Sequence, residues 1–187
     1  MKIEHFKTDI SKTINWASGT STELFVFPSD SDFTTRDFTF RLSTATVEAE
    51  ETTFSSFPNI TRILMILKGT LTLNHVNRYT KTLNVFEQDT FQGDWETKSK
   101  GKVTDFNLMC KNGAKGLVSH TFLKNNQQQK ISLNDDYSIL YVQSGSINYN
   151  GINAENGDII VITDGTTETI NISALEDTNI ILSTVNL

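Results

Sequence analysis

Four polar residues could act together if the strands of a barrel bring them into one interior. Asp105 and Asn107 alternate with apolar residues in the segment 103–110, which places both on one face of a predicted strand. Arg41 lies in a second alternating segment, and Arg62 precedes an apolar, β-branched run. Two guanidinium groups beside one carboxylate leave an excess of positive charge. Since a guanidinium binds a carboxylate through two parallel hydrogen bonds, the sequence predicts a site for a small carboxylate ligand.

Apolar side chains could wall such a site. Trp16, Phe57 and Met109 would give the apolar lining with few polar anchors that is typical of a ligand pocket. A structural alternative is that Arg41 and Asp105 pair with each other and only lock two strands together. Glu23 is either a solvated charge at a strand end or a partner for an arginine. The residue pattern leaves these alternatives open.

Other kinds of site chemistry are not indicated. Cys110 has no neighbouring His or Lys pattern that would activate its thiol, and no serine lies in a Gly-x-Ser-x-Gly turn. No two carboxylates form an evident acid–base pair. The three histidines, His5, His75 and His120, lie far apart in sequence and are predicted to lie on the surface or in loops. We therefore predict no catalytic residue, no metal and no cofactor.

The elements that would position these residues form an internal repeat. The stretches Asn59–Leu73 and Tyr137–Tyr149 align at a single offset when Gly69 is set over Gly145. Each copy is an apolar, β-branched run, a glycine at a sharp corner, and an alternating run, which predicts a strand, a corner and a second strand. Many short strands at this spacing indicate a barrel or a sandwich. We predict an all-β fold made of two barrels.

The segment 111–116 predicts the boundary between the barrels. It holds two glycines and two lysines and no apolar residue larger than alanine, so it would not pack into a core. The predicted domains are residues 1–112, a first barrel with an N-terminal extension, and residues 113–187, a smaller second barrel. Within the extension, the hydroxyl-rich stretch Trp16–Leu24 is predicted to form a tight turn.

The composition indicates a soluble protein of a reducing compartment. The chain has 187 residues, one cysteine and a formal net charge of −6, so no intramolecular disulfide can form. The acidic balance argues against binding the phosphate backbone of nucleic acids. The start shows no signal-peptide core, and no apolar run approaches the ~20 residues of a membrane helix. We expect a cytoplasmic protein with neither nucleic acid nor membrane as a partner.

The strand, glycine corner and return strand resemble the cupin fold, whose metal-binding members place His and Glu ligands around that corner. Here the position expected for the Glu holds Arg62, and its equivalent in the second copy holds Ser138. An arginine has no free lone pair and cannot coordinate a cation. The resemblance therefore implies double-stranded β-helix, cupin-like barrels, duplicated as a bicupin, without a metal.

Five ordered motifs between Trp16 and Met109 are similar to those of the HutD/Ves family. They are the Trp, Gly and Thr-Glu-Leu opening at 16–24, Arg-x-Ser-x-Ala at 41–45, Phe-Ser-x-Phe-Pro-x-x-x-Arg at 54–62, Phe-x-Gly-Asp at 91–94 and Asp-Phe-Asn-Leu-Met at 105–109. The chain departs from the family at Asn59, where glycine is usual, and at Ser18 and Thr20. The resemblance implies a metal-free bicupin, linked in some members to histidine utilisation and in others to stress induction. It also implies a ligand from histidine breakdown, such as formylglutamate or urocanate.

Three functional classes follow from these patterns. The first is a binding or regulatory protein that senses a small acidic metabolite. The second is a metal-independent isomerase or hydrolase, with Asp105 or Glu23 as general base and Arg62 holding the substrate. The third is a structural role, in which the barrels form a homodimer along exposed sheet edges. The sequence favours the first.

Overall fold

The computed structural model describes residues 1–7, 12–164 and 168–187, and this part of the chain is all-β. Its strands are β1 Lys2–Phe6, β2 Lys12–Trp16, β3 Gly19–Phe27, β4 Phe40–Val47, β5 Glu51–Thr53, β6 Thr61–Gly69, β7 Leu71–His75, β8 Tyr79–Leu83, β9 Gln88–Gln92, β10 Thr97–Lys100, β11 Val103–Cys110, β12 Lys115–Leu123, β13 Gln128–Leu133, β14 Tyr137–Ser144, β15 Ser146–Tyr149, β16 Ile152–Glu155, β17 Ile159–Thr163, β18 Glu168–Ala174 and β19 Thr178–Asn186. Nowhere in the described ranges does a helix have the length and hydropathy to cross a membrane. The predicted all-β class is confirmed.

The strands form two compact units. The first barrel is Lys12–Ala114, and the second barrel is Lys115–Leu187 together with β1. β1 pairs antiparallel with β17, where Ile3 lies opposite Ile162, and Ile3 packs on the core of the second barrel. The structure thus divides the predicted N-terminal extension. Its first strand belongs to the second barrel because that barrel offers β1 a sheet edge and an apolar surface.

In the first barrel, two antiparallel sheets enclose one core. The larger sheet has the strand order β2-β3-β4-β11-β6-β9, and the smaller has the order β5-β10-β7-β8. β7 and β10 bury every second residue, as expected of strands with one face in a core and one in solvent. Leu64, Ile66, Leu73 and Phe91 are among the residues that fill the space between the sheets.

The second barrel is built in the same way. Its larger sheet has the order β1-β17-β14-β19-β12, and its smaller sheet has the order β13-β18-β15-β16. Leu140, Val142, Ile160 and Tyr149 lie in its core, each at most 1% exposed. The runs of β-branched residues in β14 and β17 therefore fold as buried strands, which is where such side chains pack well.

The two barrels share one pairing pattern around their glycine corners. β6 lies between β11 and β9, and β14 lies between β19 and β17. Gly69 has φ +87° and Gly145 has φ +82°. A Cβ at Gly69 would lie 2.5 Å from the carbonyl oxygen of Lys102, and one at Gly145 would lie 2.6 Å from that of Asp177. Both corners require glycine, and the predicted duplication is confirmed.

The first barrel carries an additional hairpin. β2 and β3 extend its larger sheet beyond β4, with Trp16 opposite Gly19 and Ser21 opposite Ala45. The tight turn predicted for residues 16–24 is therefore wrong, because only Ala17 and Ser18 form the turn. The threonines and serine after Gly19 continue as strand, which suits β-branched and hydroxyl side chains on a half-buried sheet.

Candidate functional site

Three neighbouring strands of the first barrel bring the predicted polar residues to one face of the larger sheet. In the register of β4, β11 and β6, Met109 pairs with Arg41 on one side and with Arg62 on the other. Asp105 and Asn107 lie on β11 at intervals of two from Met109, and residues two apart on a strand share a face. The sheet register thus assembles charged groups that are far apart in sequence.

A cavity of about 240 Å³ lies over this face. All seven residues predicted for the site line it, namely Trp16, Arg41, Phe57, Arg62, Asp105, Asn107 and Met109. Sequence reasoning missed Phe33, which a loop brings in, and Ile14, which the β2–β3 hairpin brings in. Neither residue lies in a pattern that indicated the site. The β-hairpin could only have been found by recognising that residues 12–27 form two paired strands.

Arg41 is held by Glu23 and not by Asp105. Its Nε donates to Glu23 Oε2 at 2.7 Å, and its Nη1 donates to Ser43 Oγ at 2.9 Å. The guanidinium carbon lies 4.3 Å from the centroid of the Phe33 ring. The structural alternative of an Arg41–Asp105 pair is therefore wrong. Glu23, which the sequence left open, is the partner because β3 pairs directly with β4.

Arg62 is buried among aromatic rings. Its guanidinium carbon lies 4.8 Å from the ring centroid of Phe54, 5.3 Å from that of Phe91 and 5.6 Å from that of Phe57, within the range of cation–π attraction. Its Nε has no hydrogen-bond partner in the described part of the chain. Burial lowers the pKa of Arg62 to about 10, while the negative charge of Asp105 acts against that shift. Arg62 is therefore charged at neutral pH and offers an unused donor.

Asp105 and Asn107 present unused acceptors in the same cavity. Asp105 is 4% exposed and Asn107 is 6% exposed, and Oδ1 of each lacks a hydrogen-bond partner among the described residues. Burial raises the pKa of Asp105 to about 7, and the charge of Arg62 limits the rise. A buried polar atom without a partner costs ~1–3 kcal/mol. One donor and two acceptors are thus available to a bound molecule.

The histidines do not build a metal centre. No group of three or more His, Cys, Asp or Glu side chains that could hold a metal occurs in the described ranges. His75, predicted to lie on the surface or in a loop, is fully buried, with Nδ1 2.8 Å from Thr97 Oγ1 and Nε2 3.1 Å from Asp89 Oδ2. That prediction was wrong because His75 continues the buried face of β7. His5 and His120 are half-buried in β1 and β12.

The second barrel has a different set of residues at the equivalent positions. Strand register puts Ser138 at the position of Arg62. It likewise puts Ile180 at the position of Asp105 and Leu182 at that of Asn107. A cavity of about 220 Å³ also lies here, and Ile180 and Leu182 line it. Among the described residues, its only charged lining residue is Lys130. The combination of guanidinium and carboxylate groups belongs to the first of these two cavities.

The chain matches the family model HutD over residues 8–181. It is also 35% identical over 99 residues to Protein Ves from Citrobacter koseri, in an alignment that covers 50% of this chain and 49% of that protein. The match thus spans about half the length of this curated relative.

Two solved structures match over 100% of both chains at 19% identity. One is a conserved protein of unknown function, PA5104, from Pseudomonas aeruginosa PAO1, with a TM-score of 0.82. The other is HutD from Pseudomonas fluorescens SBW25 in a formate condition, with a TM-score of 0.75. At this level of identity, the two structures bear on the fold, which this chain shares.

Proposed function

The chain belongs to the HutD family, and we propose that the cavity of its first barrel binds a small carboxylate and serves a regulatory role. Arg62 carries this proposal. Its guanidinium is buried, lines the cavity and has an Nε without a partner among the described residues. A carboxylate would accept from Nε and from a second N–H of the same group in the two-pronged geometry that arginine favours.

The charges around the cavity also support an anionic ligand. Glu23 neutralises Arg41 at 2.7 Å. Asp105, whose pKa burial raises to about 7, is only partly ionised near neutral pH and so balances only part of the charge of Arg62. The cavity therefore keeps a positive excess, which favours an anionic ligand.

The two acceptors without a hydrogen-bond partner indicate a second feature of the ligand, a hydrogen-bond donor. Oδ1 of Asn107 and Oδ1 of Asp105 would each accept a hydrogen bond from the bound molecule. Formylglutamate joins carboxylates to an amide N–H, and urocanate joins a carboxylate to an imidazole N–H. Both intermediates of histidine breakdown therefore carry the two kinds of group that the cavity requires.

The size and walls of the cavity fit a compact molecule. Its volume of about 240 Å³ lies below the ~300–1,000 Å³ of pockets for drug-sized ligands. Phe33, Phe54 and Phe57 supply apolar surface, and Trp16, 42% exposed, stands at the edge of the cavity toward solvent. A metabolite of a few carbon atoms would fit this volume.

Thermal unfolding in the presence of a ligand panel tests the proposal. Formylglutamate, urocanate and formate should raise the melting temperature, and neutral analogues should not, because a ligand that binds only the folded state stabilises it by ~2.7 kcal/mol at a hundredfold excess over Kd. Arg62→Met keeps much of the packing of the aliphatic part of the side chain but removes the guanidinium group. The ligand-induced rise in melting temperature should therefore disappear.

Arg36→Met is the matched control. The Arg36 guanidinium carbon lies 4.5 Å from the centroid of the Phe57 ring, but Arg36 does not line the cavity, so this variant should keep the shift. Absence of a shift with every acid at millimolar concentration, or an equal shift in Arg62→Met, would contradict the proposal.

One observation favours a second function, a metal-independent isomerase or hydrolase. Asp105, with a pKa of about 7 and an unused Oδ1, suits a general base near neutral pH. Glu23, the other candidate base, is engaged by Arg41, and burial raises the pKa of the Cys110 thiol to about 12. Product formation from the same acids, followed by NMR and lost in Asp105→Asn while binding persists, would establish this second function instead.

A further inference from the structure

Two carboxyl groups would share one guanidinium when a carboxylate enters the cavity of the first barrel. Arg62 and Asp105 both line that cavity. In the described part of the chain no salt bridge joins them, and Arg62 Nε and Asp105 Oδ1 are each buried without a hydrogen-bond partner. A carboxylate that accepts from Arg62 would therefore lie in the same cavity as the carboxyl group of Asp105.

The other groups around this cavity do not balance a second negative charge. Among the described lining residues, the strands paired with β11 contribute Arg41 on β4 and Arg62 on β6. Arg41 is already paired with Glu23 of β3 at 2.7 Å. The residues that β2, β3 and β5 contribute to the lining are uncharged. One uncompensated positive charge, that of Arg62, thus faces the carboxyl of Asp105 and the carboxylate of the ligand.

A second carboxylate disfavours the ionised form of Asp105. Burial and a nearby negative charge both stabilise a carboxyl group in its protonated form. Burial already raises the pKa of Asp105 to about 7, and the charge of Arg62 limits the rise. A bound carboxylate offsets the attraction of Arg62 for Asp105 and adds a repulsion of its own. Both effects favour a protonated Asp105 in the complex.

We propose that binding of a carboxylate is coupled to the uptake of one proton, which Asp105 holds and donates in a hydrogen bond to the ligand. The inference rests on the proposed function and adds the regulation of that site. The proton comes from solvent, and no covalent bond of the ligand changes. The ligand oxygens accept from Arg62 and from the carboxyl O–H, a charge-assisted hydrogen bond of the strong kind. The second oxygen of the protonated carboxyl remains an acceptor for a donor of the ligand.

Acidification therefore strengthens binding. At pH values below about 7, free Asp105 already holds the proton, and the affinity does not change until the ligand itself is protonated. At higher pH each binding event takes up a proton, and the affinity falls by about tenfold per pH unit. Arg62, whose pKa is about 10, keeps its charge through pH 8. Occupancy of the cavity thus responds to pH as well as to ligand concentration.

Isothermal titration calorimetry with formylglutamate measures the proton directly. Both carboxyl groups of this probe are ionised from pH 6 to 8, so the probe contributes no titration of its own. Titrations in phosphate and in Tris, which differ in ionisation enthalpy, give the number of protons taken up per ligand. With a pKa of about 7 for free Asp105, uptake by wild-type protein should be about 0.1 proton at pH 6 and about 0.9 at pH 8. Kd should rise about tenfold over the same range.

Asp105→Asn separates the proton from the position. The asparagine N–H donates at every pH, so this variant should take up no proton and should bind with the same Kd at pH 6 and pH 8. A residue that only supports the fold would change the affinity without removing its pH dependence. Asp94→Asn, at an exposed position outside the cavity lining, is the matched control and should keep the wild-type uptake. The wild-type titrations do not depend on any variant being folded.

The outcomes distinguish this inference from the proposed function. Binding of formylglutamate to wild-type protein at pH 8 without proton uptake, or with proton release, would overturn the coupling and leave carboxylate binding intact. Uptake of the same size in Asp105→Asn would place the proton on another group and would also overturn it. No binding of any acid, by calorimetry or by thermal shift, would overturn the proposed function and the proton coupling with it.

Discussion

The charged residues inside the first barrel fall into two groups with different roles. Arg41 is paired, since Glu23 accepts from its Nε at 2.7 Å and Ser43 accepts from its Nη1 at 2.9 Å. Arg62 and Asp105 influence each other's charge but leave Nε and Oδ1 without partners among the described residues. A buried charge without full compensation lowers stability by several kcal/mol. Arg62 and Asp105 therefore carry a cost in stability that the proposed carboxylate ligand would offset.

Asp105→Asn should make the protein less sensitive to rising pH. The pKa of Asp105 rises from its usual 3.8 to about 7 in the folded chain, so between these values the folded state keeps a proton that the unfolded chain releases. Stability should fall as the pH rises from about 4 to 7, by about 4 kcal/mol at most. Urea unfolding from pH 4 to 8 measures it, and the variant, whose asparagine side chain cannot ionise, should show a flatter curve than wild type.

The control for this prediction is Asp94→Asn, since Asp94 is exposed. It should follow the wild-type curve. If Asp105→Asn and wild type lose stability in parallel as the pH rises, the carboxyl is ionised throughout the range and its role as a proton-sensitive group is wrong.

At the residue scale, the alternation of residues along a single strand predicted which side chains share a face. The sequence did not show which strands pair with each other or in what register. The sequence placed Asp105, Asn107 and Met109 on one face because they recur at intervals of two in an uninterrupted strand. It could not find the Arg41–Glu23 pair, because the register of β3 against β4 shifts between Glu23 and Phe25. Such a bulge changes the face on which the following residues lie.

At the scale of elements, β1 is fastened to the second barrel by one carboxylate. Asp158 Oδ2 lies 2.9 Å from His5 Nε2, accepts from Lys7 Nζ at 2.9 Å and accepts from the backbone N–H of Glu155 at 3.0 Å. Asp158 itself follows β16 and precedes β17, the strand with which β1 pairs. These bonds reinforce the backbone pairing of β1 with β17 where β1 ends and β17 begins.

Asp158→Asn should loosen β1. Burial alone would raise the pKa of Asp158, but the hydrogen bonds from Glu155, Lys7 and His5 outweigh it and lower the pKa below 3.8. The stabilisation is therefore present above about pH 3.8 and is lost as the pH falls through the lower, folded value. At pH 7 the variant should lose ~1.5–3 kcal/mol, the typical contribution of a hydrogen bond to a charged group. Acid unfolding measures it, and amide exchange in β1 should rise.

Asp30→Asn, a change at an exposed residue, is the control and should leave both measurements unaltered. Unchanged exchange in β1 of Asp158→Asn would mean that the backbone pairing with β17 alone holds the strand.

The N-terminal elements were the hardest to predict for a physical reason. The strands around Gly69 and Gly145 combine apolar runs with a glycine that the backbone requires, so their local sequence is sufficient. β1 and β2 are short, and β2 is exposed along its whole length. Which strand each of them pairs with depends on the sheet edges that are accessible in the folded barrels. The local sequence pattern of β1 or β2 does not contain that information.

At the scale of the whole molecule, the duplication produced two barrels with one pairing pattern and different interiors. The first barrel has charged groups in its cavity and a hairpin that extends its larger sheet beyond β4. The second has Ser138, Ile180 and Leu182 at the equivalent positions, and β12 lies at the edge of its larger sheet. The additional hairpin and the loop after it supply the partner and the ring that the buried Arg41 requires, through Glu23 and Phe33.

Ligand binding should therefore protect the first barrel alone. Hydrogen exchange followed by mass spectrometry, with and without saturating formylglutamate or urocanate, should show slower exchange in β4, β6 and β11, whose side chains line the cavity. The counterpart strands β12, β14 and β19 serve as the control within the same molecule. They place Ser138, Ile180 and Leu182 at the equivalent positions and offer a carboxylate no guanidinium. Slower exchange of similar size in both barrels would contradict a single site, and protection only in β12, β14 and β19 would place the ligand in the second cavity.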